Sequence, residues 1–316
     1  MDINYLKYDY YKIKTFIRDK TRKRDNQVVR YFHNKYAGKS MMTPDEINEY
    51  ISKLILSKMP FCVGRIGATE QFCFNCFEFK RLKNQKKAIE QLCHWSGFFP
   101  EEVEKGIDFS QLMRQSYKDI DVLGVWNLPA EDYCINKYMS EDIRLTYITS
   151  LQPWRSINAW SKALKGKTVL VIHPFEQSIQ QQYCNNRKQI FSGTDILPEF
   201  QLKTLKAVQT IAGVKDLRFN TWFDALDYQT TEIERIEFDI AILGCGAYGL
   251  PLACRIKNMG KQAIHLGGVT QLLFGIMGER WVEEPCINQF VNQYWIRPSL
   301  NEQVPNTDIV EGSCYW

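Results

Sequence analysis

The chain has 316 residues, 45% hydrophobic and 13% aromatic, with a net charge of +4. That length and apolar content allow one large α/β domain or two smaller lobes and exclude the disordered class. No apolar run reaches the ~20 residues of a membrane-spanning helix, and no signal-peptide segment opens the chain, so its ten cysteines are expected to be reduced thiols of a cytoplasmic protein.

Residues 1–40 carry eleven Lys/Arg against four Asp, a local +7 that leaves −3 for the remainder. This leader, with "YLKYDYYKIKTFIRDKTRKR", predicts a helix that either lays a Tyr/Ile/Phe stripe on the main domain or touches an anionic surface. Thr43, Pro44 and Glu46 form a capping box with proline at the first helical position, so "TPDEINEYISKLILSK" reads as a helix. Short apolar runs follow: "FCVGRI" (61–66), "DVLGVW" (121–126), "TVLVIHPF" (168–175), "DLRFNTW" (216–222), "DIAILGCG" (239–246) and "QAIHLGG" (262–268). Runs that are apolar throughout suit strands covered on both faces. Intervening stretches such as "PEFQLKTLKAVQTIAG" (198–213) have the length of crossover helices. The expected fold is α/β, with a doubly wound, mostly parallel, Rossmann-like sheet. It divides into a basic helical leader (1–40), a catalytic domain (41–284) and an irregular aromatic tail (285–316) packed on that domain.

In such sheets the ligand lies beyond the carboxyl ends of the strands. Arg65, Gly67 and Glu70 fall there, as do Trp126 and Asn127, His173, Pro174 and Glu176, then Gly244, Gly246 and Gly249, and finally His265, Gly267 and Gly268. "GCGAYG" (244–249) fits G-x-G-x-x-G, whose glycines permit a tight turn and close approach to a phosphate. A dinucleotide site also wants a ribose-binding acid after the next strand, where this chain has "AIHLGG" and no carboxylate. Phosphate or nucleotide binding, NAD binding and a purely structural turn therefore stand side by side. His173 is placed for diphosphate contact or acid–base work, or as a structural strand end; Glu176 and Ser178 are placed to cap the following helix. Gln271 and Arg280 are candidate polar contacts and Trp281 a candidate stacking surface. "CFNC" (73–76) lacks a second pair and reads as core cysteines. The absence of H-E-x-x-H, G-x-S-x-G and a complete G-x-x-x-x-G-K-[ST] loop removes the usual support for those hydrolase and NTPase classes.

"RIGATE" resembles the R-x-G-x-x-E signature of glycosyltransferases with the GT-D fold, which often read "RFGDGE". The resemblance continues through "VLVIHPFEQSIQQQY", "FDIAILGCGAYGLPLACRIKNMGKQAIHLGGVTQLLFGIMGERW" and "VEGSCYW", covering roughly residues 55–316. It implies a GT-D-type fold and a bacterial enzyme of surface polysaccharide assembly. Such an enzyme moves a hexose-type sugar from a nucleotide-diphosphate donor to a glycan or lipid-linked acceptor. Arg65, Gly67 and Glu70 would then line the donor site. Ala68 stands where "RFGDGE" has aspartate, and Thr69 replaces the second glycine. A two-carboxylate Mg²⁺ or Mn²⁺ site is thereby reduced to Glu70 alone, so metal use stays open.

The chemistry of sugar transfer assigns the roles. Arg65 meets the charge growing on the departing diphosphate, Gly67 allows close approach, and Glu70 takes the acceptor proton or remains as a metal ligand. Gly244, Gly246 and Gly249 would hold the nucleotide, with Gly267 and Gly268 beside it and His173 and His265 near the diphosphate. The alternatives are an NAD(P)-linked oxidoreductase and a non-catalytic nucleotide-binding subunit. No nucleic-acid partner is expected. Membrane contact, if any, is expected through residues 1–40 at the inner face.

Overall fold

The computed structural model describes residues 3–20, 34–305 and 314–316. The stretch 21–33 of the basic leader and 306–313 of the tail lie outside the described residues. The strands are β1 (Lys35–Tyr36), β2 (Lys39–Met42), β3 (Phe61–Arg65), β4 (Val122–Val125), β5 (Arg144–Tyr147), β6 (Thr168–His173), β7 (Gln201–Lys206), β8 (Ile240–Leu243) and β9 (Gln262–His265). They form one sheet in the order β1-β2-β5-β4-β3-β9-β8-β6-β7, with only the β1–β2 pair antiparallel. The helices are α1 (Ile3–Lys20), α2 (Pro44–Ser57), α3 (Ala68–Glu78), α4 (Leu82–Ser96), α5 (Val103–Lys118), α6 (Glu131–Tyr138), α7 (Glu176–Ile190), α8 (Trp222–Glu234), α9 (Gly249–Asn258) and α10 (Pro285–Asn288). No described helix is long and apolar enough to cross a membrane.

Two apolar cores sandwich the sheet, because successive strand residues point to opposite faces. On β3, Cys62 joins a core with Phe74, Phe109, Tyr117 and Trp222, while Phe61 and Val63 join one with Ile51, Trp160 and Phe274. The same division recurs on β6, β8 and β9, which explains why these strands are apolar throughout. Cys73 and Cys76 are buried on α3, and burial pushes the Cys76 thiol up to about 12. At the start of α2, Thr43 Oγ1 accepts from the Glu46 N–H and Glu46 accepts from the Thr43 N–H, the reciprocal cap read from the sequence.

Two sequence readings are overturned. Residues 198–213 are not a crossover helix; within them Gln201–Lys206 is β7, the edge strand paired to β6 alone. An edge strand needs few apolar side chains, and here neither end is buried, so its signal imitates an amphipathic helix. Residues 216–222 are not a strand. Arg218 forks onto Asp216 in a turn, and Thr221 then caps α8 with Asp224. A T-x-x-D box replaces the commoner T-x-x-E, and the apolar residues before it belong to the turn.

The tail is tied to the sheet at the start of α7. The buried Glu302 carboxylate accepts from the N–H of Gln177 at 2.7 Å, from the N–H of Ser178 and from the Ser178 hydroxyl. A tail carboxylate thus caps a helix for which the sequence offered Glu176 and Ser178. Glu302→Ala leaves the buried Ser178 N–H and hydroxyl without their acceptor and uncaps the Gln177 N–H, and is expected to cost about 1–2 kcal/mol. Chemical denaturation should show a lower midpoint at an unchanged slope, whereas an unmoved midpoint would show the cap to be dispensable.

Candidate functional site

β4 and β5 extend the sheet on one side of β3, and β9, β8, β6 and β7 lie on the other. The carboxyl ends of β3 and β9 therefore meet where the winding reverses, the place where open α/β sheets form a ligand crevice. A cleft opens there with about 1200 Å³ of space, its mouth included. Arg65, Gly67, Glu70, His173, Gly244, Gly246, His265, Gly267 and Gly268 all line it. Gly249 lies behind the wall, where its bare Cα faces the ring of His265; a Cβ there would come within 2.5 Å of Nε2.

Arg65 ends β3 and turns its guanidinium into the cleft. Its Cζ sits 4.9 Å from the centre of the Trp126 ring. On the other side is Gly267, at φ +69°, where a Cβ would approach Nη1 to 2.3 Å. Among the described residues no carboxylate or carbonyl meets this guanidinium, and its Nε is buried without a partner. Burial lowers its pKa, and Glu70 and Tyr315 pull the other way; an arginine stays charged throughout. The side chain is half-buried, so Nε has given up its water without gaining a partner while the rest of the guanidinium can meet an arriving anion.

Glu70 is the third residue of α3 and folds its carboxylate back over Gly67, accepting from Thr69 Oγ1 at 3.0 Å. A Cβ on Gly67 would lie 1.8 Å from Glu70 Oε2. Gly67 thus makes room for the carboxylate, a reason distinct from the close ligand approach read from the sequence. Thr69 also bonds Ser96 at the end of α4, which fixes this first turn. Among the described residues Glu70 is the only acidic side chain that lines the cleft. No cluster of three His, Cys, Asp or Glu suited to a metal exists among the described residues. The residues here do not form a cation cage, and a divalent ion would have to bring its own phosphate ligands.

The histidines depart from the acid–base reading. Burial lowers the pKa of His173 to about 3, and burial together with Arg65 lowers that of His265 to about 3. In the empty cleft both are therefore neutral near pH 7 and add no positive charge to that of Arg65. His173 Nδ1 accepts from the Phe175 N–H at 3.0 Å, which leaves its proton on Nε2.

The glycines of "GCGAYG" are accounted for by packing against the protein itself. A Cβ on Gly244 would reach Gly267 O and Thr270 at 2.7 Å, and one on Gly246, at φ +56°, would reach Ser96 O at 2.8 Å. The turn's backbone still lines the cleft, but its glycine spacing needs no phosphate. Among the described residues no acid lines the cleft after β9, so the dinucleotide pattern stays incomplete there.

Sequence reasoning missed several walls. Trp95 from the end of α4 and Thr210, Tyr248, Tyr315 and Trp316 also line the cleft. Tyr315 packs on the bare Cα of Gly268, and its carbonyl accepts from Gln271 Nε2 at 3.0 Å. Arg280 reaches the cleft over the Tyr315 ring, with Cζ 5.2 Å from its centre. Trp281, expected as a stacking surface, is instead buried in the second core and does not line the cleft. The aromatic ending of the chain was the available signal, since rings so dense in a tail must pack somewhere.

Trp126 is held from below. Buried Glu131 accepts from the N–H groups of Trp126 and Leu128 at 3.0 and 3.1 Å and from Tyr36 Oη at 3.0 Å. Burial raises its pKa to about 7, against the pull of those bonds. Its donors set the intervening Asn127 at φ +61° and aim Trp126 at Arg65.

No family model matches the chain, and no curated protein does. A solved structure that resembles it is described as a selenomethionine-substituted domain of unknown function 1792 (DUF1792). It shares 10% identity over 79% of this chain and 98% of that one, at a TM-score of 0.35, a likeness too low to argue from.

Proposed function

We propose that the chain is a glycosyltransferase of GT-D type, moving a sugar from a nucleotide-diphosphate donor to a hydroxyl of a glycan or lipid-linked acceptor, in bacterial surface polysaccharide assembly. The observation that carries this reading is the Arg65 guanidinium, unpaired among the described residues, at the sheet's reversal line, with Glu70 as the one acidic side chain that the described residues bring to the cleft. In the reaction the acceptor oxygen attacks the anomeric carbon and the bond from that carbon to the phosphate oxygen breaks. The acceptor proton passes to Glu70, and the electron pair leaves with the diphosphate, whose new charge Arg65 meets through two N–H groups. Trp95 and Trp126, both partly exposed at the cleft, offer flat faces for a nucleobase or sugar ring.

Thermal melts with UDP, GDP and TDP, each with and without Mg²⁺ or Mn²⁺, are the first test, with NAD(H) and NADP(H) alongside. A ligand at a hundredfold excess over its Kd stabilises the fold by about 2.7 kcal/mol, a readily measured shift. Stabilisation by a nucleoside diphosphate supports the proposal, and stabilisation by the dinucleotides alone transfers the cleft to redox chemistry. Binding without sugar release from any nucleotide sugar would leave a non-catalytic nucleotide-binding subunit.

A further inference from the structure

Helix α1 has two working faces. Tyr8, Tyr11 and Thr15 point into the domain: Tyr8 stacks on Phe79 at 5.4 Å, and Tyr11 meets Tyr133 at 5.5 Å. Lys14 pairs with Asp132 at 2.6 Å on the same side. At helical spacing the opposite face carries Leu6, Tyr10 and Ile13, with Phe16 beside them. These four are 53%, 58%, 60% and 61% exposed, so the face away from the domain is a continuous apolar stripe in solvent. Lys20 is exposed along it, with Nζ 5.5 Å from the Phe16 ring, and Lys7 and Lys12 are exposed on its two flanks, with Nζ 4.7 Å from the Tyr133 ring and 5.9 Å from the Tyr8 ring. With Ile17, also exposed, the helix carries five large apolar side chains away from the domain, for which a helix that satisfies its domain with its other face has no internal reason.

We propose that this outer face of α1 docks the protein on an anionic lipid surface. The charge favours that occupant, since residues 1–40 hold +7 while the rest of the chain is −3. Apolar side chains sink into the headgroup boundary, and lysines at the rim reach up to the lipid phosphates. The helix lies on the bilayer, since no described helix is able to span one. Its inner face also adjoins the cleft mouth: Asn127, next to Trp126 in the cleft wall, donates to Asp19 Oδ1 of α1 at 2.9 Å. Docking would hold that mouth beside the membrane.

The test is co-sedimentation of the full chain with vesicles of phosphatidylcholine alone or mixed equally with phosphatidylglycerol, with no donor present. Its outcome is thereby independent of the transferase reading. The chain is expected to bind the mixed vesicles, weakly or not at all the neutral ones, and less as salt rises. Ile13→Ser with Phe16→Ser should weaken binding about tenfold while leaving the lipid-free melting temperature unchanged. Lys7→Gln with Lys12→Gln should weaken it and flatten its salt dependence. Should the first pair of changes impair folding, Leu6→Ser with Tyr10→Ser carries the same test. No binding to the mixed vesicles, or equal binding by parent and both variants, overturns the proposal. So does a lipid-free dimer that the apolar double variant abolishes, which would make the stripe a contact between copies of this chain.

Discussion

Arg65→Met is expected to abolish donor binding and at the same time stabilise the empty protein. The guanidinium makes no hydrogen bond or ion pair among the described residues, and its Nε is buried without a partner. Removing a half-buried cation whose Nε lacks a partner takes away part of a desolvation cost, so the unliganded variant should gain up to about 1 kcal/mol. The same change removes the group that meets the leaving diphosphate, for which a loss of about 10²–10³ in turnover or affinity is expected. Arg65→Lys should restore little, because an ammonium cannot fork onto two oxygens or lie flat on Trp126. Calorimetric titration with the best nucleoside diphosphate, beside a thermal melt without ligand, reads both effects. A variant that binds as the parent does, or that melts earlier than it, would refute the assignment.

Glu70→Gln should separate binding from chemistry. Glutamine keeps the shape and the contact with Thr69 but cannot take the acceptor proton, so donor affinity should hold within about threefold while kcat falls about 10²–10⁴. Gly67→Ala makes the same point without touching the acid. Its Cβ would lie 1.8 Å from Glu70 Oε2 and force the carboxylate out of place, so kcat should fall with the acid still present. Undiminished transfer by Glu70→Gln removes the residue from the reaction, and normal turnover by Gly67→Ala shows that its folded-back position is not needed. Since His173 and His265 stay neutral down to about pH 3, no histidine step should appear in the parent's rate profile between pH 5 and 8.

The sheet was legible where burial on both faces made strands apolar throughout, as in β3, β4, β6, β8 and β9. It was illegible where strands approach the edges: β7 is paired on one side only, and its partial exposure imitates a helical pattern. β2 and β5 were likewise unread, being four residues long and carrying Lys39 and Arg144. Arg65, Glu70 and the glycine clusters were found because doubly wound sheets gather strand ends on one rim. The reasons for the glycines were not readable, since the atoms facing Gly67, Gly246 and Gly249 come from Glu70, Ser96 and His265, pairings only folding creates. Trp95, Tyr315 and Trp316 were missed because they reach the cleft from a helix end and from a distant tail.

Glu302 caps α7 through its backbone N–H groups, whereas Glu70 lies over the first turn of α3 and accepts from the Thr69 hydroxyl and from no N–H of that helix. Bare helix starts are ordinary seats for phosphates, yet one of these is capped by a carboxylate of the chain and the other has a carboxylate's charge beside it. Discrimination among incoming anions therefore falls to side chains, chiefly Arg65 and the rings around it, and hardly to the backbone. A cleft arranged in this way would change its ligand through a few point substitutions while the loops and helices beneath it stayed as they are.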